Sequence, residues 1–340
     1  MKVAVLTGNR EVRLDKRPKP IPGEGEAVVK VALSSLCGTD TDFYRAALEG
    51  PRPSGHEFTG QVAAIGSGVK RFAVGDRVVA CWGVGCGNCP YCAAGKPHLC
   101  DNVILFQGTH AEYVAVPHAD GTLAKLPDAM SWEAAVVVAC SFSTGAYGVK
   151  MSSISASDTV VILGLGAVGL STVLCAAADK AKRIVAADPL THRRDEALRL
   201  GAHEVGDPTD SQWLRSMNAT ADLVLIATAH PQAVEAAVPM ARKEGRITVI
   251  GSQAHAQVPF ARFTQFGLHM MATYSMIGGD YMRRIIEDVV SGRIEARKLE
   301  SMVTHTFPLE RIKDAYELFS SHSGNCIKVA IDCTGSTSAR

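Results

Sequence analysis

The chain has 340 residues, 47% of them apolar, and its 35 Lys and Arg set against 34 Asp and Glu leave a formal net charge of +1. So even a balance excludes a protein drawn to nucleic acid or to an anionic membrane by charge. The apolar share excludes a disordered chain, and the length allows two domains with full cores.

The apolar start Met1–Leu6 is too short for a signal peptide. No apolar run approaches the roughly 20 residues of a membrane span. A cytoplasmic protein with no membrane partner is expected, and in that reducing compartment the ten cysteines bind metal or pack rather than pair.

In chain order, the first 140 residues read as β-rich. Val3–Leu6, Ala27–Leu33, Gly60–Ile65 and Arg77–Cys81 are strand-like runs, separated by Pro20-Ile21-Pro22-Gly23 and Gly66-Ser67-Gly68. The pattern then changes. Val160–Leu163 is continuously apolar, as in a strand buried on both faces. A small-residue helix is predicted from Ala167 to about Asp179, a strand over Arg183–Ala187, and a helix from Asp195 to Leu200 stopped by Gly201. Leu223–Ala227 and Arg246–Ile250 read as further buried strands flanking a helix, Pro231–Ala241. Such alternation predicts a parallel sheet with right-handed crossovers. Two amphipathic helices, Met282–Val290 and Leu309–Phe319, and a strand, Lys328–Asp332, follow. Thr334–Arg340 reads as a loose tail.

Cys86, Cys89, Cys92 and Cys100 are spaced C-x2-C-x2-C-x7-C among glycines and a proline. Four thiolates so placed can wrap one tetrahedral ion, and four protein ligands leave no open position, so a structural zinc is expected. A redox C-x-x-C pair normally uses two cysteines at a helix start. Cys37, His56 and Cys140 form a scattered second set. From spacing alone they read more readily as buried core residues.

Gly164, Gly166 and Gly169, with Ala167 and Val168 between the last two, form a G-x-G-x-x-G that follows a buried strand and opens a helix. Gly164 allows the tight turn, Gly166 the approach of a pyrophosphate, and Gly169 close helix–strand packing. The helix N-terminus then favours the phosphates. Asp188 ends the second strand, where a carboxylate accepts from the ribose hydroxyls and repels a 2′-phosphate, favouring NAD over NADP. Arg193 and Arg194 stand nearby and could hold that phosphate instead.

Cys37-Gly38-Thr39-Asp40, Gly55-His56-Glu57, the four-cysteine loop, Cys140-Ser141-Phe142-Ser143-Thr144-Gly145 and the glycine fingerprint stand in one order. In that order the chain resembles the zinc-containing alcohol dehydrogenases of the medium-chain dehydrogenase/reductase superfamily, from Lys2 to about Asp332. The resemblance implies an α/β protein. A GroES-like β-rich catalytic domain would take residues 1–142, with 281–340 returning to it, and a Rossmann doubly wound parallel-sheet domain residues 143–280.

It further implies two zinc ions per chain. Cys37, His56 and Cys140 would hold the catalytic one, its fourth position going to water, substrate or, in some states, Glu57. Asp40 would fix the tautomer of His56, and the Thr39 hydroxyl would relay the alcohol proton. Thr144 would pack on the nicotinamide and Arg193 would contact the adenosine ribose. Many members end the relay with a His five residues after the first ligand; this chain has Asp42 there. Lys328 matches a basic residue near the cofactor phosphates or is a surface Lys. Trp82 stands where the family often has an aromatic pocket wall, with Phe106, Phe142 and Met276 as further candidates.

The implied activity is hydride transfer between NAD(H) and an alcohol, aldehyde or ketone, in a homo-oligomer, a tetramer rather than a dimer. Polyol, amino-alcohol or secondary-metabolite dehydrogenation is the alternative within the family. A catalytically silent dinucleotide-binding protein is the alternative outside it.

Overall fold

The structure, a computed structural model, describes residues 1–251, 256–275 and 277–335. Met276 and the end of the expected tail, 336–340, lie outside them. The chain forms two compact units: Met1–Cys140 with Met276–Arg340, and Ser141–Ser275.

The first unit is built on a seven-stranded sheet. Six strands run in the order Leu123–Lys125, Arg77–Ala80, Phe58–Ile65, Ala27–Ser35, Lys328–Asp332 and Val303–Pro308, and Tyr113–Val116 also pairs with Ala27–Ser35. Ala27–Ser35 is central, and only Lys30 within it is exposed. Its Val, Ala and Leu residues suit a strand covered on both faces. Register slips against Phe58–Ile65 between Val28 and Val29 and between Val31 and Leu33, as β-bulges do where a strand re-aims its end. Phe58, Phe106, Tyr316 and Val329 share the core of this unit, the two Phe rings meeting edge-on at 6.1 Å. A smaller three-stranded sheet joins Lys2–Gly8 to Glu11–Lys16 and Arg52–Pro53.

The second unit holds a six-stranded sheet, parallel throughout. Its order is Glu204–Gly206, Arg183–Ala187, Thr159–Leu163, Ala221–Ile226, Ala241–Ile250, His269–Thr273. Taken in chain order this is 3-2-1-4-5-6, the doubly wound dinucleotide-binding arrangement. Val160 to Leu163 are all buried, as their unbroken apolar run predicts. One helix starts earlier than expected, at Thr191 rather than Asp195. The cause is local: Asp188 Oδ1 accepts from Leu190 N–H at 2.9 Å, an Asx-type turn that launches the helix sooner.

A helical run drew no prediction. Trp132–Ser152 is continuous over 21 residues and is long and apolar enough to cross a membrane, which corrects the expectation that no run approaches that length. Of its apolar window 83% is buried inside the protein, so the apolar character is spent on packing. Ser131 Oγ caps its start by accepting from Ala134 N–H at 3.2 Å. A π turn, Val138–Phe142, interrupts it and carries Cys140, a placement common at functional sites.

Candidate metal and cofactor sites

Cys37 leaves the central strand and N-caps the helix Gly38–Arg45. Asp40, in the first turn, has two tasks. Its Oδ2 accepts from Cys37 N–H at 2.8 Å, and its Oδ1 lies 3.2 Å from His56 Nδ1. A carboxylate facing Nδ1 places the proton there and leaves Nε2 as a lone-pair donor. That nitrogen, Cys37 Sγ, Cys140 Sγ and a Glu57 oxygen belong to one cluster whose ligand atoms all lie within 4.8 Å of one another. The set of two thiols, one imidazole and one carboxylate fits zinc. Cys37 and Cys140 share a hydrogen bond, which holds the first thiol well below its ordinary pKa and the second well above. Burial works against a charged His56, yet Asp40 and Cys37 together raise its pKa.

Thr39 is exposed, its hydroxyl 3.9 Å from Cys37 Sγ. Asp42 is exposed on the same helix, and burial among like charges raises its carboxyl against the pull of Arg45.

Lys328 departs from the surface reading of it. It is not at the surface, but 1% exposed on the strand next to Ala27–Ser35. Its Nζ donates to Glu57 Oε2 at 2.5 Å and to the Leu36 carbonyl at 2.9 Å. Burial pushes the Glu57 carboxyl up to about 7 against the pull of Lys328. The same pair, with the two thiols, keeps Lys328 above the ordinary lysine pKa despite burial. Lysine is almost never this buried unless paired.

His110, by contrast, is a residue that sequence reasoning passed over. It is fully buried, with Nδ1 2.6 Å from Ser34 Oγ and no hydrogen-bond partner for Nε2 among the described residues. A Cβ on Gly55 would sit 2.6 Å from this ring, and Gly55 has φ +88°, so both space and backbone demand glycine before His56. Burial pushes the His110 pKa down from 6.5 to about 4. Below pH 6.5 the unfolded chain takes up a proton that the folded one refuses, so stability falls as the pH drops. The loss attributable to His110 approaches about 3 kcal/mol at pH 4. Urea unfolding at pH 7 and pH 4.5 should show a smaller acid loss in His110→Phe than in the parent, and identical losses would sink this account.

The second cluster is the four-cysteine loop, Cys86, Cys89, Cys92 and Cys100, its sulfurs also within 4.8 Å of one another. Ideal tetrahedral Zn–S geometry puts sulfurs roughly 3.8 Å apart. The loop turns its amides inward: Cys86 and Asn102 N–H approach Cys100 Sγ at 3.3 Å each, and Cys92 N–H approaches Cys89 Sγ at 3.4 Å. A Cβ on Gly85 would lie 2.7 Å from Cys92 Sγ, so this glycine too makes room for a ligand. All ten cysteines are free of disulfides.

In the second unit, Gly164 adopts φ +88°, and a Cβ there would meet Thr228 at 2.7 Å. A Cβ on Gly169 would lie 1.8 Å from the Gly164 carbonyl oxygen. Gly166 differs: it caps the helix Ala167–Ala178, and a Cβ there would meet nothing within 4 Å. An open face at a helix start followed by Ala167 and Val168, uncapped by any side chain, fits a pyrophosphate. Asp188 is 3% exposed, and its Oδ2 accepts from Leu165 N–H at 2.8 Å. Arg193 Nη1 lies 3.5 Å from the same oxygen, and its Nε is buried without a hydrogen-bond partner among the described residues. Arg194 is committed elsewhere, donating to the Asp188 and Pro189 carbonyls at 2.6 and 2.9 Å and to Thr191 Oγ1 at 3.0 Å. Thr144 is buried, its Cγ2 3.4 Å from where a Cβ on Gly251 would stand.

Of the other pocket candidates, Phe106 belongs to the core of the first unit and Phe142 is fully buried. Trp82 is half-buried just before the short strand Gly83–Val84, which pairs with Ile104–Leu105, and its carbonyl accepts from Phe106 N–H at 2.9 Å.

One unit with two thiol-rich clusters able to hold a metal, and another with a doubly wound sheet and a glycine fingerprint, are the make-up of a zinc-type dehydrogenase. Residues 23–128 match the alcohol dehydrogenase GroES-like domain family and residues 167–291 the zinc-binding dehydrogenase family. The chain belongs to the zinc-type alcohol dehydrogenases of the medium-chain dehydrogenase/reductase superfamily. It is 30% identical to the uncharacterized zinc-type alcohol dehydrogenase-like protein YphC of Escherichia coli K12, over 98% of each chain. It is 28% identical to the sorbitol dehydrogenase of Bacillus subtilis 168, over 97% of each. Among solved structures, it is similar to the alcohol dehydrogenase rspB of E. coli CFT073 complexed with NADH, with TM-score 0.87, 28% identity and coverage of 98% and 99%. A Sinorhizobium meliloti 1021 protein solved with NADP gives TM-score 0.86, 25% identity and coverage of 97% and 98%.

Proposed function

We propose that the chain transfers hydride between an alcohol or carbonyl substrate and NAD(H), with a catalytic zinc at Cys37, His56 and Cys140 and a structural zinc at Cys86, Cys89, Cys92 and Cys100. The observation that carries this reading is the cluster of two thiols, one imidazole and one carboxylate, with Asp40 aiming His56 Nε2 into it. When bound, zinc supplies a Lewis acid that polarises the substrate oxygen.

The chain's own groups do the rest. The thiolates and the neutral imidazole fix the ion's place and moderate its charge. Thr39 Oγ1, exposed and near Cys37, accepts the alcohol proton and passes it to water, with Asp42 one turn further along the same exposed face. When bound, NAD would supply the hydride acceptor and Thr144 would pack against its nicotinamide, so that proton and hydride would leave the alcohol by separate routes. Gly166 admits the pyrophosphate. The Asp188 carboxylate repels a 2′-phosphate, and the commitment of Arg194 to main-chain carbonyls removes one cation that would compensate. Both support NAD over NADP.

A polyol substrate is the second reading, favoured by the similarity to a sorbitol dehydrogenase. Against it stands Cys140, at a position where polyol dehydrogenases of the superfamily commonly carry Glu. The deciding experiment is NAD(P)H formation across primary and secondary alcohols and polyols, on protein of measured zinc content. Turnover of simple alcohols, faster with NAD, is the expected result. Turnover of polyols alone would favour the second reading, and silence with full zinc occupancy would defeat both.

A further inference from the structure

Glu57 is the only acid in the Cys37 cluster, and its two oxygens have different surroundings. Oε2 accepts from Ser35 Oγ and from Lys328 Nζ. Oε1 is buried, accepts from nothing among the described residues, and lies 3.9 Å from His56 Nε2. A buried carboxylate oxygen without a donor is costly unless its partner is a cation.

The strand Ala27–Ser35 explains how one oxygen comes to be held twice. Neighbouring residues of a strand point to opposite faces. Ser34 pairs in register with Phe58, the residue after Glu57, and Ser35 pairs with Ala330 on the strand that carries Lys328. Ser34 Oγ therefore reaches the Glu57 main-chain carbonyl, at 2.8 Å, while Ser35 Oγ reaches the Glu57 side chain beside Lys328.

We propose that Ser35 is a positioning residue: with Lys328 it restrains Glu57 by Oε2, holding the carboxylate back from a metal seated among Cys37, His56 and Cys140 and so keeping the fourth metal position for substrate. The inference rests on reading that cluster as a zinc site. Without the Ser35 hydroxyl, Glu57 is tethered by Lys328 alone. Its free oxygen then competes with substrate for the metal and adds a fourth protein ligand.

The test is zinc release from the purified holoenzyme to a chromophoric chelator such as pyridylazoresorcinol, together with steady-state kinetics. Ser35→Ala should release the more labile zinc about ten-fold more slowly, the scale of one hydrogen bond to a charged group. KM for the alcohol should rise by a similar factor while kcat stays within about two-fold. In a Glu57→Gln background the same substitution should change neither quantity. Ser34→Ala, which removes a hydrogen bond from the same strand without touching the carboxylate, reports any general loosening and should not slow release. Unchanged or faster release in Ser35→Ala, equal slowing in the Glu57→Gln background, or equal slowing by Ser34→Ala would each overturn the proposal. If the parent protein shows a single class of zinc, or Cys140→Ser retains both classes, the zinc reading itself fails. If those controls behave and only Ser35→Ala is silent, the role of Ser35 alone is lost.

Discussion

Cys37→Ser is expected to abolish alcohol turnover, lowering kcat/KM by about 10³-fold, on the scale of several kcal/mol of lost charge stabilisation. The fold should survive, because the helix start keeps its cap. Cys37 is the N-cap of Gly38–Arg45, its side chain facing the N–H of Asp40 while its own N–H donates to the Asp40 carboxylate. Serine is among the best residues for that place. What it cannot supply is a soft thiolate among the donors grouped with His56 and Cys140. Metal analysis should therefore show loss of one of the two sites, with NADH affinity retained because the glycine fingerprint lies in the other unit. A variant that keeps comparable turnover would remove Cys37 from the centre.

Lys328→Met should be the most destabilising single change near the site. Removing one partner of a fully buried ion pair strands the other charge, at a cost of about 3–5 kcal/mol. At about 2–4 °C per kcal/mol, the unfolding midpoint of that unit should drop by about 10 °C. Glu57→Gln combined with Lys328→Met should recover a large part of the loss, because no charge is then left unpaired. A single variant as stable as the parent, or a double variant no better than the single, would show that the pair does not stabilise the fold in this way.

These two residues mark what was and was not legible in the amino-acid sequence. Cys37 could be found because it belongs to an ordered set of motifs, as do His56, Cys140 and the four-cysteine loop. The glycine fingerprint was legible for the same reason, since tight turns and close backbone approach restrict those positions to glycine. Lys328 could not be placed. Its partner lies 271 residues away, and nothing local distinguishes a buried lysine from a surface one. Ser35 and His110 match no motif and act through neighbours that only the sheet register supplies. The helix Trp132–Ser152 was missed because Val136-Val137-Val138 favours strands locally, and burial overrides that preference. The four inner strands of the parallel sheet were the easiest elements to find, since burial on both faces leaves an apolar run, while the edge strands Glu204–Gly206 and His269–Thr273 are partly exposed.

The position of Lys328 also bears on how the protein is made. At about 5–20 residues per second, a ribosome needs roughly 15–50 s to travel from Glu57 to Lys328. During that interval the nascent first unit lacks the strand Lys328–Asp332, so the edge of the central strand over Leu33 to Ser35 is unpaired and Glu57 has no counter-ion. The second unit, contiguous from Ser141 to Ser275, can close on its own meanwhile. The Glu57–Lys328 pair thus cannot close until Lys328 has been made, and the waiting sheet edge is the stage most open to misassociation between nascent chains.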